Sequence, residues 1–224
     1  MTMKYILLTF MLIPALVFGQ KKKKTENVVE PVIYDYVVTI KVSYLDSAVT
    51  GTKTDSMIAI LYDRTPKHRD NFVKLANEGF YNGTTFHRII TGFMIQGGDP
   101  NSKDSNPTND GQGGPGYTIT AEIDPGYGHK KGAIAAARLG DNMNPQRESS
   151  GSQFYIVQTE NGAQHLNGQY TVFGQVIKNL ALIDQIASQL KDQRDRPIYD
   201  IKMNVSVRKM DRKLITRMYG YQFK

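Results

Sequence analysis

Two segments of the chain carry amide and large apolar side chains at the spacing of a β-strand. Residues 86–99 read FHRIITGFMIQGGD, and residues 150–157 read SGSQFYIV. Because successive side chains of a strand point to opposite faces, Met94 shares a face with Gln96, and Gln153 shares one with Tyr155. Each strand therefore presents an amide beside an apolar group, which suits an extended peptide. A polar outer face with incidental aromatic residues is the alternative interpretation.

Most other enzyme chemistry lacks its residues. The chain has no cysteine, which excludes disulfides, thiolate nucleophiles and cysteine-ligated metals. The four histidines show no metal-binding spacing such as HExxH, so we predict neither a metal nor another cofactor. No GxSxG nucleophile elbow is present. Asp99, Glu122 and Asp124 could act as a glycosidase pair only if the fold brought two of them to a suitable separation.

Residues 111–116, GQGGPG, match the dinucleotide-binding pattern GxGxxG in letters only. The mechanism of that motif needs a strand before it and a helix after it, so that a phosphate meets the helix N-terminus. Here a polar loop precedes the glycines, Pro115 interrupts them and a strand-like segment follows. We interpret these glycines as turn residues that need a positive φ.

The remaining pattern predicts a mainly β fold. Thr65 as N-cap, Pro66 at the first position and Gly79 after the end predict a first helix, and apolar spacing predicts a second over 180–191. Strand-like segments occupy residues 34–42, 56–62, 84–90, 94–96, 117–121, 133–137, 153–157, 171–176 and 199–208. These segments amount to about eight strands, and the helices do not alternate with them. We therefore predict a closed eight-stranded antiparallel β-barrel capped by two α-helices, over residues 31–209.

The two ends of the chain differ from this body. Residues 1–19 have a lysine, an apolar stretch and small residues before Gln20, which predicts a signal peptide and export. The periplasm is the expected destination, and full secretion is the alternative. Residues 20–30 form a basic linker and residues 210–224 a basic tail, within a net charge of +7. We expect solvated ends, no nucleic-acid binding and at most weak contact with the envelope surface. The spacing of apolar residues over 214–219 favours a short amphipathic helix, which would pack either on the body or on a partner.

The same two segments resemble the signatures of a known family. FHRIITGFMIQGGD resembles the first signature of the cyclophilins, GSQFYI the second, and VFGQV at 172–176 the third. GGPGYTITAE and GAIAAAR are similar to the bacterial branch, and the resemblance covers roughly residues 56–208. It implies a barrel capped by two helices and peptidyl-prolyl cis-trans isomerase activity on unfolded exported proteins and other proline-containing peptides. A non-catalytic peptide-binding chaperone on the same fold is the alternative, and it predicts a degraded arginine or pocket.

The resemblance also implies a role for individual residues. Arg88 would be the catalytic arginine, and His87 a nearby supporting residue. Phe93, Met94, Tyr155 and Leu166 would form the proline pocket, Gln96 and Gln153 would hold the groove together and meet the substrate backbone, and Ala137, Arg138 and Tyr170 would line the groove. Arg138 stands where many relatives have asparagine, and it would contribute mainly its backbone.

Three positions depart from the family pattern. Tyr155 replaces a phenylalanine, which adds a hydroxyl group at the pocket. Tyr170 replaces a histidine that contacts substrate in several relatives. His165 occupies the place of a tryptophan that favours cyclosporin binding in eukaryotic relatives, so cyclosporin binding is doubtful.

Overall fold

The computed structural model describes residues 31–46 and 51–223 of the chain. The predicted signal peptide (1–19) and basic linker (20–30) lie outside the described residues. Among the residues described, no helix is both long enough and apolar enough to cross a membrane.

Among the residues that the structure describes, ten strands form two antiparallel sheets. The strands are β1 (Tyr34–Asp46), β2 (Gly51–Leu61), β3 (Phe86–Ile90), β4 (Met94–Gly97), β5 (Thr118–Ile119), β6 (Ala133–Ala136), β7 (Ser149–Ser150), β8 (Phe154–Val157), β9 (Val172–Lys178) and β10 (Lys202–Asp211). The larger sheet has eight strands in the order β10-β1-β2-β9-β6-β8-β4-β3. The short strands β5 and β7 pair with each other. A mainly β fold with an eight-stranded antiparallel sheet is therefore confirmed.

The register of β4 and β8 places the two chemistry-bearing segments side by side. Gln96 pairs with Tyr155, and Met94 pairs with Val157. Strand β3 follows on the other side of β4, with Arg88 opposite Gln96. Segments more than fifty residues apart in sequence thus form one continuous surface.

The two faces of these strands enter two different apolar clusters, as alternation requires. Ile95 and Ile156 join the main core with the helices and with Val38 and Ile40 of β1. Met94 and Tyr155, one position away, belong to a second cluster on the other face. Strand β8 is buried on both faces, which fits its continuously apolar sequence, FYIV.

The edge strands of the large sheet meet at one isolated bridge. Thr85, just before β3, forms an antiparallel bridge with Lys202 at the start of β10. The Phe86 amide donates to the Ile201 carbonyl at 2.9 Å, and the Met203 amide donates to the Thr84 carbonyl at 2.8 Å. These bonds join the two edges locally without a ladder along them, so the closed barrel stays a prediction.

Helix α1 (Pro66–Asn77) begins at the predicted proline. The side chains of Phe72, Leu75 and Ala76 are buried against the core, as their spacing predicts. Burying a large apolar side chain contributes about 1.5–3 kcal/mol, which is what holds this helix on the sheet.

The cap of α1 differs from the prediction. The Thr65 side chain makes no capping hydrogen bond. Instead, the Glu122 carboxylate accepts hydrogen bonds from the Lys67 and His68 amides, both at 3.0 Å. A carboxylate is favoured at this end because its charge meets the positive pole of the helix dipole. This cap comes from 54 residues away, and no local pattern could indicate it.

Two further α-helices follow β9. Helix α2 (Ala181–Ala187) ends earlier than predicted, because Leu190 accepts a hydrogen bond from Ile198 and Lys191 bridges to Pro197. Helix α3 (Arg212–Tyr219) starts directly after β10, which runs past the predicted boundary at residue 209. Since Ile215 is fully buried, the C-terminal segment packs on the body rather than forming a solvated tail.

Candidate active site

A cavity of about 120 Å³ opens on the face that carries Met94 and Tyr155. Its walls come from β3, β4, β8, the end of β6 and the 166–170 loop. The lining residues are Arg88, Phe93, Met94, Gln96, Ala137, Arg138, Tyr155, Leu166 and Tyr170. All nine were singled out from the sequence, and the structure brings them together around a space the size of a small side chain.

Arg88 is the unpaired charge of this cavity. Its side chain is exposed on β3, and no salt bridge or hydrogen bond engages it among the residues described. A guanidinium is always protonated and presents several N–H donors in a planar fork. It can therefore donate to a group bound in the cavity without first breaking an internal bond.

Gln96 and Gln153 connect the cavity to the neighbouring loop. The Gln96 side-chain Nε2 donates to the side-chain Oε1 of Gln153 at 3.1 Å. The Gln153 Nε2 donates to the Gly111 and Gly113 carbonyls at 3.0 and 2.8 Å. The two glutamines thereby fix residues 111–113 against strands β4 and β8.

The apolar walls of the cavity differ in depth. Met94 is buried, whereas Phe93 and Leu166 are partly exposed at the mouth. The Phe93 ring lies 5.7 Å from the ring of His165, centroid to centroid. His165 itself is exposed and is not one of the residues that line the cavity.

The Arg138 side chain has a larger part in the wall than the sequence suggested. Its guanidinium carbon lies 4.4 Å from the Tyr170 ring centroid, and Nε donates to the Gln169 carbonyl at 3.1 Å. Nη1 donates to Asp141 at 2.6 Å. The expectation that Arg138 offers mainly its backbone is therefore incomplete, because side-chain stacking and ion pairing hold it over the cavity wall.

His87 lies on the other face of β3 from Arg88 and does not line the cavity. Its ring is buried, and neither nitrogen has a hydrogen-bond partner in the described part of the chain. Burial lowers the pKa of His87, although Asp99 and Asp110 act in the opposite direction. Any effect of this residue on the site must come from behind β3, through packing or through its charge interaction with Arg88.

A second, wider cavity of about 640 Å³ adjoins the first and shares Gln96, Ala137 and Arg138 with it. Leu139 and Met143 contribute exposed apolar side chains to its rim. The sequence did not single out these two, because they belong to a polar loop with no strand or helix period. Together the two cavities can hold an extended peptide of several residues.

The rejected motifs have structural roles. Asp99 is fully buried and accepts hydrogen bonds from the amides of Asn101, Gly111 and Gly113. Gly111 has a φ of +84° and Gly116 one of +88°, as turn residues would. A side chain at Gly113 would overlap Asp99, since its Cβ would lie 2.2 Å from Oδ1.

The candidate glycosidase carboxylates are also engaged separately. Glu122 caps α1, and Asp124 pairs with Arg64 at 2.8 Å. Within the described residues, no cluster of three or more metal-ligating side chains occurs.

The amino-acid sequence is similar to members of one protein family. The sequence profile described as "Cyclophilin type peptidyl-prolyl cis-trans isomerase/CLD" matches residues 48–207. Peptidyl-prolyl cis-trans isomerase CYP18-1 of Arabidopsis thaliana is 38% identical over 154 residues, which are 67% of this chain and 87% of the relative. Peptidyl-prolyl cis-trans isomerase B of Bacillus subtilis is 47% identical over 111 residues, 49% of this chain and 67% of the relative.

The fold matches solved structures of the same family. A cyclophilin type peptidyl-prolyl cis-trans isomerase of Cryptosporidium parvum superposes with a TM-score of 0.61 at 26% identity, covering 79% of this chain and 98% of its own. A second structure of that protein, in the presence of the dipeptide Ala-Pro, gives a TM-score of 0.59 at 26% identity, with coverage of 75% and 98%. The chain thus belongs to the cyclophilin-type peptidyl-prolyl cis-trans isomerases.

Proposed function

We propose that this isomerase accelerates rotation about X–Pro bonds in unfolded exported proteins and so assists their folding, with Arg88 as the catalytic residue. One observation carries the mechanism: a guanidinium without a partner in the described part of the chain borders a small cavity with apolar and aromatic walls. The proline ring would occupy this cavity, and the residues before it would extend along the wider cavity beside Gln96 and Gln153.

Isomerisation of an X–Pro bond requires little more than a pocket for the proline ring and one well-placed hydrogen-bond donor. Amide resonance gives the X–Pro bond a rotation barrier of about 18–20 kcal/mol. No bond is made or broken, so the enzyme has only to bind the twisted amide more tightly than either planar form. In the twisted state the proline nitrogen regains a lone pair. Arg88 would donate a hydrogen bond to it, while the pocket holds the ring and the preceding carbonyl swings.

Support for a proline-containing ligand comes from the site and from a relative. The cavity is small, and Phe93, Met94 and Leu166 supply the apolar contacts that a proline ring needs. The Cryptosporidium parvum cyclophilin was crystallised in the presence of Ala-Pro.

We also propose that the large sheet is closed into a barrel, which the Thr85–Lys202 bridge supports. Membership of the bacterial branch is likewise a proposal, supported by the 47% identity to the Bacillus subtilis protein.

The catalytic proposal is tested by the cis-to-trans conversion of a short Ala-Pro peptide. The wild-type mature chain is expected to accelerate conversion, and Arg88→Ala to lower kcat/KM by about a hundredfold, a usual cost of removing one transition-state donor. Arg88→Lys keeps the charge without the planar fork and should recover only part of the loss. The matched control is Arg194→Ala, which removes an exposed arginine outside the cavity.

The alternative is a non-catalytic peptide-binding chaperone. A wild-type chain that binds the peptide without accelerating conversion would establish that reading. Equal losses in Arg88→Ala and Arg194→Ala would instead remove Arg88 from the mechanism while leaving the isomerase activity in place.

Export is the second part of the proposal, with the periplasm as destination and full secretion as the alternative. It is supported by the sequence of residues 1–19. Expression in a Gram-negative host, followed by fractionation and mass determination, tests it. A periplasmic product shortened by about 19 residues is expected. Deletion of residues 5–18 should leave an unprocessed chain in the cytoplasm. A wild-type chain that is itself unprocessed and cytoplasmic would refute export.

The basic ends support at most a weak contact with anionic envelope surfaces, and we propose no nucleic-acid partner. Sedimentation with phosphatidylglycerol vesicles against phosphatidylcholine vesicles, with and without replacement of residues 21–24 by serine, tests the contact. Binding should fall steeply with salt because exposed charges are screened.

We further propose weak cyclosporin binding at best, since His165 does not line the cavity.

A further inference from the structure

The hydroxyl group of Tyr155 is bonded to a residue behind the cavity. Tyr155 lines the cavity and is only 5% exposed. Its hydroxyl oxygen lies 2.9 Å from Nε2 of His129, which is buried and is not a lining residue. The ring therefore faces the ligand space, while the polar end of the side chain is held in the interior.

The hydrogen bonds around His129 define the direction of this contact. The oxygen of the Asn167 side chain accepts from the His129 backbone amide at 2.9 Å, and a backbone amide can only donate. The same oxygen lies 2.9 Å from Nδ1 of His129, so Nδ1 carries the ring proton. Nε2 then has the free lone pair, and the Tyr155 hydroxyl donates to it.

The protonation states agree with this direction. Burial lowers the pKa of His129, against the hydrogen bond to Asn167, and His165 lowers it further. Burial also raises the pKa of Tyr155. A neutral imidazole acceptor and a protonated phenol donor are therefore the stable pair at neutral pH.

A second aromatic ring completes the wall. Tyr170 packs edge-on against both Tyr155 and His129, at interplanar angles of 83° and 84°. The Arg138 guanidinium covers Tyr170. Asn167, His129, Tyr155, Tyr170 and Arg138 thus contact one another in series. Among the described residues, the Tyr155 hydroxyl is the only polar group of a cavity-lining side chain that bonds to His129.

We infer that His129 is a positioning residue for the isomerase reaction, which holds the Tyr155 ring against the bound proline through the tyrosine hydroxyl. The inference rests on the proposed function, because it assumes that the proline ring lies in this cavity. Without His129, the hydroxyl would be buried without a partner, which is costly. The ring would then turn so that its hydroxyl reached solvent through the cavity, and it would displace the proline from Arg88.

A double-mutant cycle tests this inference. The four proteins are the wild type, His129→Leu, Tyr155→Phe and the double variant, compared by kcat and KM on the Ala-Pro peptide and by peptide Kd. We expect His129→Leu to lower kcat/KM at least about fivefold in the wild-type background, since an unsatisfied buried hydroxyl is strongly unfavourable. In the Tyr155→Phe background the same substitution should cost less than about twofold, because no hydroxyl remains to be satisfied.

The inference can fail in two ways. If His129→Leu lowered kcat/KM equally in the wild-type and Tyr155→Phe backgrounds, His129 would act through packing and the inference would be overturned. Should His129→Leu not fold, the double variant is expected to fold and to match Tyr155→Phe, and its failure to do so would equally overturn it. A wild type without isomerase activity would refute the proposed function but not the inference. The four peptide Kd values would then show whether the effect of His129→Leu depends on the Tyr155 hydroxyl.

Discussion

Gln153 links three parts of the groove through one side-chain amide. Its Nε2 donates to two carbonyls of the 111–113 loop, and its oxygen accepts from Gln96. These bonds are partly buried, so removing them deprives two backbone carbonyl acceptors and the Gln96 amide donor of this partner. The residue therefore controls whether the wall between the two cavities keeps its shape.

We expect Gln153→Ala to lower kcat/KM by about tenfold, which corresponds to the loss of about one net hydrogen bond. The measurement is the peptide conversion assay, with Gln193→Ala, an exposed glutamine outside both cavities, as the matched control. A Gln153→Ala protein with the activity of the control would mean that the loop keeps its position without this amide.

The sequence indicated which side chains share a face where residues lie on or directly beside a regular strand. Alternation along 94–96 and 153–155 put Met94 with Gln96 and Gln153 with Tyr155, because the pleat fixes which side chains share a face. All four side chains line the two adjoining cavities. Arg138 lies in a loop, so no periodicity could indicate that its side chain stacks on Tyr170. The His129–Tyr155 bond was also out of reach, since it joins residues of different segments.

At the scale of elements, the sequence indicated the C-terminal helix but not where it packs. Asp211 accepts a hydrogen bond from the Lys213 amide at the start of α3, and Gly220 ends the helix with a φ of +71°. These are ordinary cap signals, and the apolar spacing indicated the helix itself. What the sequence could not decide was whether the helix has a surface to pack on, because that depends on the extended β1–β10 pair.

The docking of α3 gives a prediction for stability. Ile215 is fully buried, whereas Met218 on the same helix is 50% exposed. Ile215→Ala should lower the free energy of unfolding by about 2–4 kcal/mol, because it removes buried methyl groups and leaves a cavity. Met218→Ala should change it by less than about 0.5 kcal/mol. Urea unfolding of both variants measures the difference.

If Ile215→Ala and Met218→Ala lowered the free energy of unfolding by similar amounts, α3 would not pack on the body in solution. Because the profile match ends at residue 207, a large effect of Ile215→Ala would also show that the folded unit extends past the family's common core. The isomerase assay on the same variants would then report whether that extension affects the groove.

Across the whole molecule, three buried histidines make stability depend on pH. Burial lowers the pKa of His68, His87 and His129 below the ordinary value of 6.5. Glu122 opposes burial at His68, and Asn167 does so at His129, but neither reverses the direction. As the pH falls through about 6.5, the unfolded chain therefore binds more protons than the folded one. Stability should be complete above that pH and decrease below it.

His87 offers the cleanest test of this dependence, because neither ring nitrogen is hydrogen-bonded among the described residues. His87→Leu should keep the packing and lose no hydrogen bond, and it removes a group that resists protonation when folded. Between pH 6.5 and 5, its free energy of unfolding should therefore fall less steeply than that of the wild type. One histidine can account for at most about 1.4 kcal/mol per pH unit. Urea unfolding at several pH values measures the slope for His87→Leu against that of the wild type. A slope equal to that of the wild type would place the acid sensitivity in other groups.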